Sequence, residues 1–197
     1  MKLVLIKYNA GNIQSVLYAL ERLGAAAEVT DDPEKISSAD KVIFPGVGEA
    51  SSAMHSLREK GLDAVIRDLK QPVLGICVGM QLLCRHSEEN DTECLGIVPV
   101  QVRRFQPLGG IKVPQVGWNQ IYGLQSPLFS EVPEGSYIYN VHSYFADDSP
   151  YTIGKCHYGV EYAAAVQRDN FYGVQFHTEK SAENGDRILK NFIDRVS

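Results

Sequence analysis

The sequence predicts an α/β fold built on a central, mostly parallel sheet, with antiparallel ribbons appended in its C-terminal half. Three observations carry that prediction. Short apolar runs alternate with helical periodicity over the first eighty or so residues. A Gly-x-Cys-x-Gly step, Gly75 to Gly79, sits where one such run gives way to a helix. From Gly96 onward short β-like runs separated by turns take over. With no repeat, low-complexity tract or linker, the expectation is a single domain over 1–197.

Residues 2–6 form a compact apolar strand that leads through Lys7-Tyr8-Asn9-Ala10-Gly11-Asn12 into a helix. Ile13, Val16, Leu17, Leu20 and Leu23 fall on one face of that helix, and Gly24 ends it as a C-cap. Residues 27–30 and 41–44 read as the second and third strands. Strands separated by helices pair in parallel, because the connection must cross the sheet to return in the same direction. Pro45-Gly46-Val47-Gly48 then opens a helix over about 49–60, a second helix covers about 62–69, and the fourth strand is 72–76. Residues 87–94 read as a polar loop, and 97–104, 137–141, 152–157, 163–167 and 171–176 as the β-like runs. A last helix has Ser181 as its N-cap and Ile188, Leu189, Phe192, Ile193 and Val196 on its apolar side.

A hydrophobic content of 44%, 22% charged residues and a net charge of −5 describe an ordinary globular chain with no basic face for nucleic acid. No apolar run reaches the roughly 18 residues of a membrane span, and the N-terminus lacks a signal-peptide layout. Cysteines at 77, 84, 94 and 156, with no Cys-x-x-Cys pair, argue against a disulfide framework or structural zinc site. The expected compartment is the reducing cytosol.

The chemistry centres on Cys77. Gly75 and Gly79 flank it at the spacing of a strand-to-helix elbow, where a side chain on either neighbour would collide with backbone. A helix starting at Val78 would aim free N–H groups and a partial positive charge at the sulfur. The pattern alone fits a buried structural cysteine equally well. A cysteine nucleophile needs a base, and of the five histidines His55, His86 and His157 read as surface residues. His177 follows the apolar run 173–176 and stands two residues before Glu179, so imidazole and carboxylate can point together. Two exposed strand-end residues would give the same pattern. Pro45-Gly46-Val47-Gly48, at a strand's C-terminal end, could supply an oxyanion N–H from Val47 or Gly48 with Val78 as second donor, or be a turn that needs glycine for shape. Gln81, one helical turn after Cys77, could hold a polar substrate.

Pro-Gly-Val-Gly at 45–48, Gly-Ile-Cys-Val-Gly-Met-Gln at 75–81 and Phe-His-Thr-Glu-Lys-Ser at 176–181 resemble the class I (triad) glutamine amidotransferases. Val116-Gly117-Trp118-Asn119 and Val141-His142-Ser143-Tyr144-Phe145 narrow the resemblance to the branch containing the glutaminase subunits of imidazole glycerol phosphate synthase, from histidine biosynthesis. The resemblance runs from first strand to last helix. It implies a flavodoxin-like three-layer sandwich that hydrolyses glutamine through a Cys thioester. The ammonia would pass to a separate (β/α)₈ cyclase subunit, held as a heterodimer. It further implies Cys77, His177 and Glu179 as the triad, Gly48, Gln81, Ser143 and Tyr144 as glutamine-binding positions, and no metal or cofactor. Asn12, Trp118, Asn119 and Lys180 would face the partner, although Trp118 could be a core aromatic and Lys180 a solvated lysine. Lys7 departs from the family, which usually has Asp there, and leaves the partner contacts of that loop open. Gly46 and Gly48 suggest a peptide flip that switches the oxyanion donor when the partner binds its ligand.

The rivals differ at named residues. The glutaminases of pyridoxal phosphate synthase more usually carry Pro-Gly-Gly and His-Pro-Glu where this chain has Pro-Gly-Val-Gly and His-Thr-Glu. A Cys-dependent hydrolase or stress protein on the same sheet would need neither Gln81 nor His-x-Glu, and a non-catalytic regulatory module would not need the complete triad.

Overall fold

The computed structural model describes residues 1–8, 13–107 and 109–196. In chain order the elements are β1 (Leu3–Ile6), α1 (Ile13–Arg22), β2 (Ala27–Thr30), α2 (Pro33–Ser37), β3 (Lys41–Gly46), α3 (Ala50–Glu59), α4 (Leu62–Asp68), β4 (Val73–Cys77) and α5 (Val78–Leu83). There follow β5 (His86–Ser87), β6 (Thr92–Glu93), β7 (Gln101–Arg104), β8 (Gln115–Ile121), β9 (Ser136–His142), β10 (Tyr144–Ala146), β11 (Thr152–His157), β12 (Glu161–Arg168), β13 (Phe171–Val174) and α6 (Ala182–Asp194). The main sheet runs β2-β1-β3-β4-β13-β12-β10-β7-β5-β6, with β11 hydrogen-bonded to β12, and β8 pairs with β9 in a separate two-stranded sheet. From β2 to β13 every pairing is parallel.

Strands β1, β3 and β4 are buried along their whole length, as a parallel sheet covered on both faces requires. Right-handed crossovers in the order 2-1-3-4 send the first helix to one face and the next connections to the other. α2, α3, α4 and α5 pack on one another, while α1 meets α6 through an Arg22–Asp186 ion pair, which gives the three layers. Gly24 closes α1 with φ +70°, the left-handed C-cap conformation that glycine adopts without a Cβ penalty. No helix among the described residues is long and apolar enough to cross a membrane.

Several elements differ from the sequence expectation. Residues 171–176 read as part of an antiparallel ribbon, yet β13 enters the central sheet parallel to β4, with Gly173 opposite Gly75, and is antiparallel only to β12. The run 97–104 shortens to β7, and the polar loop 87–94 contains the end of β5, a 3₁₀ turn (Glu89–Asp91) and β6. α2 escaped notice although its start was spelled out: Asp32 Oδ1 accepts from Glu34 and Lys35 N–H at 2.9 and 3.4 Å, and Pro33 takes the first helical position. Ser181 precedes α6 without capping it by side chain; its hydroxyl donates to the His177 carbonyl at 2.6 Å and accepts from Tyr139 N–H at 2.9 Å. The other end of α6 is held by Lys41, whose ammonium donates to the carbonyls of Phe192, Ile193 and Val196 where the helix leaves them unpaired.

Candidate active site

Three neighbouring parallel strands bring the sequence's separate motifs to one edge. Gly46 at the end of β3 lies opposite Cys77 at the end of β4, and Ile76 lies opposite Val174, the last residue of β13. The loop after β3, the elbow after β4 and the segment carrying His177 therefore emerge side by side at the carboxyl ends of the strands, where open α/β sheets bind ligands.

Cys77 has φ +54° and ψ −113°, a strained conformation for a side chain, and hands the backbone directly to α5. The glycines permit this turn by close approach. A Cβ on Gly79 would lie 2.0 Å from the Phe44 carbonyl oxygen, one on Gly46 2.4 Å from the Gly79 nitrogen, and one on Gly75 2.9 Å from the Gly79 carbonyl. α5 thus sits directly on the backbone of β3 and β4, with Val78 as its first residue. Gly46 is needed for that packing, which leaves Gly48, at φ +93° with open space around its Cα, as the glycine with conformational freedom in the loop.

His177 and Glu179 are both buried, and the His177 Nδ1–H donates to Glu179 Oε1 at 2.8 Å. Burial by itself would lower the His177 pKa; the acceptors and negative charges that Cys77 and Glu179 present to the imidazolium outweigh it, raising the value to about 10. The imidazole, fixed by the carboxylate, therefore favours its protonated form.

A cavity of about 530 Å³ opens at this edge, lined by Val47, Gly48, Cys77, Val78, Gln81, Ser143, Tyr144, His177 and Lys180 among others. Gln81 is buried, its amide donating to the Tyr144 carbonyl at 3.0 Å and to Gln175 Oε1 at 2.9 Å. Ser143 forms the bend between β9 and β10, and Tyr144 is the first residue of β10. That bend is pinned by His142, whose Nδ1–H donates to the Tyr144 carbonyl at 2.7 Å while Nε2 faces the Tyr162 hydroxyl at 3.4 Å. Burial drives the His142 pKa down to about 4, so this imidazole is neutral beside the protonated one.

The β8–β9 ribbon carries an exposed apolar face beside the cavity. Val116 pairs with Val141 and Trp118 with Tyr139, and Trp118, at 53% exposure, lies edge-on to Tyr139 with ring centroids 5.7 Å apart. Val141 belongs both to this face and to the cavity wall. Asn119 points the other way: its amide donates to the His157 carbonyl at 3.0 Å, beneath the ribbon. Lys180 is exposed at the cavity mouth, and Asn12 lies outside the described residues. Of the remaining histidines, His55 is exposed beside Glu59, His86 pairs with Asp91 and His157 is an exposed strand residue.

Two residues at the site fall outside the sequence reading: one lines the cavity and the other lies buried behind Cys77. Glu89 sits in the 3₁₀ turn and lines the cavity; its Oε2 accepts from Ala50 N–H at 2.7 Å at the start of α3, and burial raises its pKa. Gln175 is wholly buried with its Nε2 3.8 Å from Cys77 Sγ. Gln175 could have been noticed because it precedes His177 by two residues, the spacing that puts extended side chains on one side.

The glutamine amidotransferase class-I family profile matches residues 4–196. The imidazole glycerol phosphate synthase subunit HisH of Bacteroides fragilis is 53% identical over 195 residues, covering 98% of this chain and all of the relative. The HisH subunits of Bacteroides thetaiotaomicron and Haemophilus influenzae are 51% and 43% identical, covering 98% and 100% of this chain and 100% and 98% of those relatives. Among solved structures, a putative GMP synthase subunit from Thermoplasma acidophilum superposes with a TM-score of 0.75 at 19% identity, covering 98% of this chain and 92% of that one. At that identity the likeness speaks for the fold alone.

Proposed function

The chain belongs to the class-I glutamine amidotransferases, in the branch of the HisH glutaminase subunits of imidazole glycerol phosphate synthase, and from that premise we propose which of its residues cleave glutamine and which meet the partner. The Cys77 thiolate attacks the side-chain carboxamide carbon. The oxygen that becomes negative is held by the N–H of Val78 and that of Val47 or Gly48, each such donor lowering the barrier by roughly 3 kcal/mol. Collapse of the tetrahedral adduct expels ammonia with a proton from His177, leaving a thioester. His177 then takes a proton from water, whose attack releases glutamate and restores the thiolate. Glu179 keeps His177 in the orientation and charge state both steps need.

One observation carries this reading: a cysteine strained at a strand end lines the same cavity as an imidazole whose Nδ1 is held by a buried carboxylate. Gly48, Gln81, Ser143 and Tyr144 are the glutamine-binding positions, and Glu89 adds a carboxylate suited to the substrate's α-ammonium. The chemistry calls for no metal or cofactor. The partner is a (β/α)₈ cyclase subunit that binds as a heterodimer over the Trp118–Tyr139–Val141 face, with Lys180 and Asn12 at its edge and Asn119 supporting it from below. Because Val141 is shared by face and cavity, docking there would roof the cavity and pass ammonia on without exposure to water. The cyclase would use it to make imidazole glycerol phosphate and an aminoimidazole carboxamide ribonucleotide in histidine biosynthesis. The whole unit is one domain working in the reducing cytosol, which suits its four free cysteines.

The test is glutamate release by the chain with its cyclase, with and without the nucleotide ligand. Cys77→Ala abolishes release, and the ligand-bound complex outpaces the isolated chain. Release by Cys77→Ala would overturn the nucleophile, and equal rates would overturn the Gly48-based switch.

A further inference from the structure

We propose that Gln175 is a further catalytic residue, donating an amide N–H to the Cys77 sulfur and so favouring the attacking thiolate. The inference rests on the reading of Cys77 as nucleophile. Its strength lies in how firmly the amide's polarity is fixed. The Tyr144 carbonyl can only accept, so the Gln81 atom facing it at 3.0 Å is nitrogen. The second hydrogen of that nitrogen points at Gln175, 2.9 Å away, so the Gln175 atom there is oxygen. What remains of the Gln175 carboxamide, 3.8 Å from Sγ, is therefore its NH₂. Each link forces the next, and a rotation of the Gln175 amide would set two donors against each other in a buried site.

Gln175 is wholly buried, so its amide is not turned toward solvent. Its own backbone is pinned by donation to the Ala164 carbonyl at 2.8 Å, which holds the segment leading to His177 against β12. An amide N–H stabilises a thiolate more than a thiol, because a hydrogen bond to a charged acceptor is the stronger one. The titratable groups that interact with Cys77 are His177, itself paired with Glu179 and near His142, and the buried Tyr8 phenol, whose hydroxyl donates to the Pro45 carbonyl. None of these is altered by a change at Gln175, so a shift in Cys77 reactivity reports the amide donor.

The experiment measures the pH dependence of chloroacetamide alkylation at Cys77 in the full chain, read by peptide mass spectrometry. Gln175→Met, which keeps the volume and lacks the donor, moves the alkylation midpoint up by about one to two pH units. Gln175→Leu, which likewise lacks the donor and adds no charge, moves the midpoint up to the same extent. It also secures the test if the Met variant does not fold. An unmoved midpoint in whichever variant folds overturns the proposal, since a merely structural role would leave it in place. Glutamate release by Cys77→Ala would instead overturn the nucleophile assignment beneath it, so the two failures are told apart.

Discussion

Gly79→Ala sets two effects of opposite sign against each other. Gly79 lies inside α5, and helix propensity alone predicts that alanine there stabilises by about 1 kcal/mol. The new Cβ would, however, lie 2.0 Å from the Phe44 carbonyl oxygen and 3.0 Å from its carbon. A carbon–oxygen contact needs about 3.3 Å, so α5 must retreat from β3 by about 1.3 Å. Both sides of that contact are backbone within a fully buried sheet, which cannot yield as a flexible side chain would. Overpacking of this kind costs about 1–3 kcal/mol, which offsets the propensity gain and leaves a net loss of up to about 2 kcal/mol. The larger effect falls on chemistry. Val78 N–H and Cys77 ride on the start of α5, and a displacement near 1 Å costs about 10²-fold in rate. Urea denaturation and glutamate release with the cyclase partner measure the two quantities. Gly24→Ala is the control: a positive-φ glycine with open space around it, at the far end of α1, loses about 1 kcal/mol through strain and keeps its activity. A Gly79→Ala chain more stable than the parent and fully active would refute the close-packing argument.

Glu179→Gln preserves shape but removes the charge that supports protonated His177, so kcat falls by about 10²–10⁴-fold with little change in KM for glutamine, and unchanged kcat contradicts the orienting role. His142 is held neutral by burial, with a pKa of about 4 against about 6.5 unfolded; its contribution is complete above pH 6.5 and declines as pH falls toward 4, by about 3 kcal/mol. Denaturation at pH 7 and pH 4 should show that loss in the parent and a smaller one in His142→Asn, and equal losses would dismiss the assignment. Trp118→Ala, at a half-exposed position, leaves the denaturation midpoint nearly unchanged and weakens cyclase binding by about 2–4 kcal/mol in calorimetry; undiminished affinity places the partner elsewhere.

Much of the site could be read in the sequence because its signals are local. The elbow glycines, the His-x-Glu step and Asp32-Pro33 each encode a geometry within four or five residues, even where, as with α2, the signal went unused. β8 was missed for the opposite reason. Its apolar residues, Val116 and Trp118, face outward on a surface suited to a partner, so the usual inward pattern is inverted. Asn119 follows Trp118 along β8, and because successive strand residues point to opposite faces its amide turns to the His157 carbonyl beneath the ribbon.

By itself the sequence determined the element types of the N-terminal half, the strained cysteine and the carboxylate-paired histidine, since hydrophobic period and glycine spacing act over one or two turns of chain. Only the tertiary structure decided that β13 lies beside β4, because strand order is settled by which buried faces fit together and leaves no mark in either segment. That single parallel pairing carries His177 to Cys77 across about a hundred residues of chain. It also carries Gln175 to the sulfur and, through Gln81, to the Tyr144 carbonyl.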